Sequence, residues 1–117
     1  MAPDPRDLLP LAPQDFHVLI ALAEAPRHAY GLAKAVEALP DGGVRLEIGS
    51  LYRMLARLTT AGLIEDVEPR AAAGGHEARR RYYRITPFGR KVAEAESSRL
   101  QAVLRMARRS RLVRDRR

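Results

Sequence analysis

A chain of 117 residues without cysteine is long enough for one hydrophobic core and too short for two, and it excludes disulfide frameworks, thiolate metal sites and thiol nucleophiles. Twenty-one Lys and Arg against 14 Asp and Glu leave a net charge of +7 and a pI near 10.7, which favours a polyanionic partner: nucleic acid first, an anionic membrane surface second. The longest apolar run, Val18 to Ala23, falls far short of a membrane span, and no basic-then-apolar leader opens the chain, so a cytoplasmic location is expected.

Residues 1–12 hold three prolines, Pro3, Pro5 and Pro10, among mixed charges and are expected to form a loose N-terminal arm. Pro13 suits the first turn of a helix, and Phe16, Leu19, Ile20 and Ala23 continue at helical spacing as core until Pro26. A second helix is predicted from Ala29 to Leu39, with Leu32, Ala33, Val36 and Leu39 inward and Lys34 and Glu37 outward. Gly31 inside it costs up to about 1 kcal/mol relative to alanine, so a close helix contact is expected there. Pro40 to Gly43 read as a turn, and the alternation of Val44, Leu46 and Ile48 with Arg45 and Glu47 as a short strand beside a later hairpin.

The stretch Leu46 to Glu68 organises the rest: one helix running into one strand. Leu51, Met54, Leu55 and Leu58 fall at i, i+3, i+4 and i+7, the stripe of a helix that buries one face. Ser50, Arg53 and Arg57 share another face, and a small hydroxyl with two cations suits phosphates and guanine edges in a DNA major groove. The alternative is an ordinary amphipathic helix with a solvated basic face. Gly62 is placed to stop the helix. Leu63 to Glu68 and Arg79 to Ile85 then read as the two strands of a basic hairpin, with Tyr83 and Ile85 on one face and the glycine- and alanine-rich Pro69 to Ala78 as its tip. A recognition helix followed by such a hairpin is a winged helix-turn-helix, here residues 13–86: mainly α with a small β-hairpin.

Thr86 and Pro87 mark a new helix start, N-cap and N1, for a helix expected over residues 87–112. Along it Val92, Glu96, Arg99, Val103 and Met106 make one row; Ala93, Leu100, Val103, Leu104 and Ala107 make a more apolar one. A long helix beyond a small domain has little of its own protomer to bury against, so the second row predicts dimerisation through a partner helix, the alternative being that it folds back as core. From Arg99 to Arg117 eight arginines face one acid, Asp115, a surplus that equals the whole net charge. A like-charged run of this kind often binds nucleic acid without sequence preference, and residues 113–117 are expected to end it as a basic tail.

No catalytic constellation emerges. His17, His28 and His76 lie in different elements without i, i+3 or i+4 pairing, Gly42-Gly43 and Gly74-Gly75 lack phosphate-loop spacing, and Ser97 and Ser98 have no histidine near in sequence. Neither an enzyme nor a metal or cofactor is expected.

The order His28-Ala29-Tyr30-Gly31-Leu32, then Gly49-Ser50-Leu51-Tyr52 with Leu55, Leu58 and Ala61-Gly62-Leu63-Ile64, then Arg80 to Thr86 and Gly89, resembles the PadR-like transcriptional regulators over about Phe16 to Gly89. The resemblance implies a winged-helix repressor that binds operator DNA as a homodimer, often near its own gene, and that commonly releases it on binding a small molecule. The short region after Gly89 looks like the branch with a single C-terminal helix. Two positions depart: the family often has glycine where Ala29 stands and proline where Arg53 stands, and Arg53 thereby offers an added base or phosphate contact.

The expected DNA-binding set is Ser50, Arg53 and Arg57 in the major groove, Lys34 and Tyr30 on phosphates, Tyr52 on the backbone, and Arg79, Arg80 and Arg81 on the wing. For Tyr30 and Tyr52 the competing role is to pack the ring and tie the hydroxyl to a neighbour. A rival from another class is a winged-helix protein-interaction or RNA-binding module using the arginine-rich tail. The two Phe and absent Trp offer little to stack on a planar effector.

Overall fold

The computed structural model describes residues 3–40, 45–67 and 81–114. Four helices and a three-stranded antiparallel sheet follow one another as α1 (Pro13–Glu24), β1 (Arg27–His28), α2 (Ala29–Glu37), α3 (Ile48–Thr60), β2 (Ile64–Val67), β3 (Tyr82–Ile85) and α4 (Pro87–Arg109). This is the expected winged helix-turn-helix with a long C-terminal helix. α1, α2 and α3 pack around one core of which Val18, Leu19, Leu32, Val36, Leu51, Leu55 and Leu58 are fully enclosed. The expected stripe of α3 is therefore its buried face.

The third strand is not where the alternation at 44–48 put it. Val44 lies outside the described residues, Arg45 to Glu47 are not in a strand, and Ile48 already opens α3, with the Leu51 N–H donating to the Glu47 carbonyl at 2.8 Å. Leu46 plugs the core while Ile48 is exposed, so the apparent period of two is one buried loop side chain followed by a helix start. β1 takes the third place instead: the order is β1-β3-β2, with Arg27 opposite Tyr83, His28 opposite Tyr82, Ile64 opposite Ile85 and Val67 opposite Tyr82. Arg27 fixes this turn by donating to the Ala21 carbonyl and the Glu24 carboxylate, both at 3.0 Å.

The arm expected to be loose is packed. Pro5–Leu8 form a 3-10 turn capped by Asp4, and this turn lies against α4, with Leu9 and Leu11 on the core. Behind it Glu96, buried in α4, accepts from Arg99 Nε at 2.7 Å and Nη2 at 2.9 Å through its carboxylate, and the Leu11 backbone adds a smaller favourable influence on that charge. The Arg99 hydrogen bonds outweigh burial and hold the Glu96 carboxyl below its ordinary value.

Two glycines carry geometric necessity. Gly62 ends α3 with φ +81°, a backbone that glycine tolerates best. Gly89, in the first turn of α4, approaches the Leu63 carbonyl so closely that a Cβ would sit 2.0 Å from its oxygen. Thr86 completes that corner: its N–H donates to the Leu63 carbonyl, its hydroxyl donates to the Gly62 carbonyl, and the same oxygen accepts the Gly89 N–H as N-cap. At Gly31 the nearest neighbour is not a second helix but the ring of His28, which a Cβ would meet at 3.3 Å. His28 is the N-cap of α2, its Nδ1 accepting the Gly31 N–H at 3.1 Å, and its ring meets Tyr82 edge-on.

Candidate nucleic-acid interface

Because α3 buries Leu51, Met54, Leu55 and Leu58, its opposite side is turned outward. There Arg53 is exposed and its Nη2 donates to Ser50 Oγ at 3.2 Å, so two of the three expected groove residues are joined. Tyr52 on α3 and Tyr30 on α2 are 54% and 57% exposed, too open for core packing to explain. Lys34 sits over the Tyr30 ring, Nζ 5.0 Å from its centre, which places a cation and a phenol together on α2.

Arg57, the third of the expected groove residues, has a partner within its own chain. Both its Nη groups, at 2.9 Å each, hold the two carboxylate oxygens of Asp15 in the first turn of α1. The Asp15 side chain is 9% exposed and that of Arg57 59%. Hydrogen bonding by Asp15 outweighs burial and pushes the Arg57 guanidinium above its ordinary value, so it is a permanent cation. Asp15 was invisible as a site residue in the sequence, where it is one acid near a helix start.

Of the wing arginines, Arg79 and Arg80 lie outside the described residues, as do the hairpin tip and Asp41 to Val44. Arg81 is exposed, 3.7 Å from Asp66 on β2, and Arg84 pairs with Glu65 at 2.7 Å, so acids across the sheet offset much of the basicity at the described base of the wing. An open cleft of about 310 Å³ runs between α3 and the sheet, lined by Tyr52, Thr59, Asp66, Arg81 and the buried Tyr83. Burial raises the Tyr83 hydroxyl pKa, with Arg81 opposing.

The expected dimerisation row divides. Ala93 is half-buried against the protomer's own core and lines a groove of about 350 Å³ with Phe16, Ile20 and Ala23, three α1 residues that were expected to be core and are only half-buried. Leu100, Val103 and Leu104 are exposed, with Met106 beside them, and Ala107 is half-buried. The helix ends in a turn closed by Arg111 at φ 60° and a Leu112 N–H to Ala107 carbonyl bond of 2.8 Å, two residues before Arg114; residues 115–117 lie outside the described chain. Among the described residues no helix is long and apolar enough to cross a membrane, and no group of three His, Asp or Glu residues could hold a metal.

A helix pair α2–α3 that carries its polar face outward beside a three-stranded sheet, followed by a long helix, defines the winged helix-turn-helix class of fold. Residues 18–95 match the Transcriptional regulator PadR-like family, and the chain belongs to it. Over 80 residues, 68% of its length, the chain is 39% identical to an uncharacterized 37.1 kDa protein in transposon TN4556 of Streptomyces fradiae, of which it spans only 21%. Among solved structures it is similar to a transcriptional regulator from Clostridium thermocellum (25% identity, TM-score 0.66, covering 82% of this chain and 87% of that one). A PadR family transcription regulator from Clostridium difficile R20291 shares the fold at 20% identity, with TM-score 0.69 and coverage of 84% and 97%.

Proposed function

We propose that this protein is a sequence-specific repressor that binds an inverted-repeat operator as a homodimer in the cytoplasm. The observation that carries the reading is the division of α3: an apolar face shut into the core and an outward face on which Ser50 and Arg53 are joined, flanked by exposed Tyr52, Tyr30 and Lys34. In this reading α3 enters the major groove and Arg53 reads a base edge, with guanine the natural partner of an arginine. Lys34, Tyr30 and Tyr52 hold the backbone, and Arg79, Arg80 and Arg81 place the wing. Arg57 serves here by fixing α3 to α1 through Asp15.

Two linked reading helices require a dimer, and the exposed row Leu100, Val103 and Leu104 on α4, with half-buried Ala107 next to it, supports one. The arginine-rich end of the chain adds sequence-independent attraction to phosphates. Footprinting on the DNA upstream of the protein's own gene tests the reading. Protection of an inverted repeat, with half-sites about one helical turn apart, is the expected result. Uniform weak protection of all DNA would reject sequence-specific repression and favour the tail-driven RNA or protein module.

A further inference from the structure

α3 carries two arginines, and the structure treats them oppositely. Arg53 is exposed with a neutral serine as its hydrogen-bond partner, whereas Arg57 spends both Nη groups on a carboxylate that comes from 42 residues earlier in the chain. The two ends of that pair differ in freedom. Asp15 is buried in the first turn of α1, where the helix N-terminus also favours its charge, and it cannot follow its partner outward. Arg57 is a long side chain, more than half exposed, and could swing to solvent if the carboxylate released it.

A buried carboxylate stripped of the guanidinium that pairs with it is costly, so the pair resists being opened by an exposed, hydrated phosphate. Resting on the DNA-binding reading above, we propose that Asp15 is a specificity-determining residue: it withholds the Arg57 charge from the DNA backbone, leaving Arg53 as the cation that α3 presents to the groove. The logic is one of differences. A phosphate contact strengthens binding to every sequence alike, and a protein that forgoes one gains in the ratio of operator to random DNA. Asp15 therefore acts through Arg57, without touching DNA itself.

The full-length protein is titrated with a random-sequence duplex and with the footprinted duplex over a range of salt concentrations. Asp15→Asn keeps the shape and removes the charge. Its affinity for the random duplex should rise and the slope of log K against log salt should steepen by about 0.9, the signature of one more neutralised phosphate. The operator-to-random ratio should fall. Arg57→Gln should leave the random-duplex slope at its wild-type value, and the double variant should restore that slope, which a mere packing defect from Asp15→Asn would not do. An unchanged slope in a folded Asp15→Asn protein overturns the proposal. So does a slope flattened by about 0.9 in Arg57→Gln, since Arg57 would then already be on a phosphate; that variant decides the matter alone if Asp15→Asn fails to fold. Wild-type protein that binds neither duplex would sink the repressor reading first and this inference with it.

Discussion

α3 and the distal half of α4 have the same kind of sequence, an apolar row at helical spacing beside arginines, and opposite fates. In α3 the row Leu51, Met54, Leu55 and Leu58 is at most 5% exposed; in α4 the row Leu100, Val103 and Leu104 is 39 to 43% exposed. Periodicity states that a helix has a face to bury and is silent on what covers it. α3 lies between α2 and the sheet and is covered by its own chain, which leaves the other side turned to solvent. α4, about 34 Å long at 1.5 Å per residue, outruns the protomer: its first half meets the N-terminal turn and α1, and its second half projects beyond them.

The contrast breaks most visibly in stability. Leu55→Ala should cost ~2 to 5 kcal/mol, since it opens a cavity in a closed core, whereas Leu104→Ala should barely move the melting temperature at high dilution. Equal losses in thermal melts would show that the two rows are buried alike. The complementary experiment is Leu100→Lys with Leu104→Lys: sedimentation should report half the wild-type mass with the fold intact, and an unchanged mass would mean that α4 is not the seam. Arg53→Ala should remove roughly 1 to 3 kcal/mol of base discrimination, read by competition between the operator and single-base variants, with random-duplex affinity changing far less.

Within α4 the boundary between the two regimes is Glu96, the last buried residue of its first half. Glu96→Gln should loosen the N-terminal turn and lower stability by ~1 to 3 kcal/mol at neutral pH. The pH dependence has a definite sign. The folded carboxyl lies below its unfolded value, so its stabilisation is complete above the unfolded value and is lost as the pH falls through the folded one. Melting curves of wild type and variant should therefore converge on acidification. Smallest in its effect on discrimination is removal of Arg108 to Arg117, which should weaken binding to every sequence alike and flatten the salt dependence.

What the sequence made legible follows from range. The helices, the wing and the N-cap at Thr86 are local signals, in which spacing and capping chemistry act within a few residues. The same holds for the Ser50 and Arg53 pair, three positions apart on one helix. The Asp15 and Arg57 pair is tertiary, and neither residue carries a mark of the other. β1 has two residues, too few for any alternation to register, and it was hidden behind the stronger but misleading pattern around Leu46. The packed arm was masked by its prolines, which read as irregular chain although they only fix a turn. His28 offered a signal that was available: an imidazole three residues ahead of Gly31 at a helix start is a possible cap acceptor.

The corner at Gly89 has a consequence for architecture. With the Leu63 carbonyl pressed into the space where any other side chain would begin, and Thr86 bonded to both Gly62 and Leu63, the angle between α3 and α4 is set like the arm of a carpenter's square. Two protomers joined along α4 would then carry their reading helices at a fixed separation, and the pair would behave as a ruler: an operator lengthened by even one base pair between its halves should be refused, because neither arm has a joint with which to follow it.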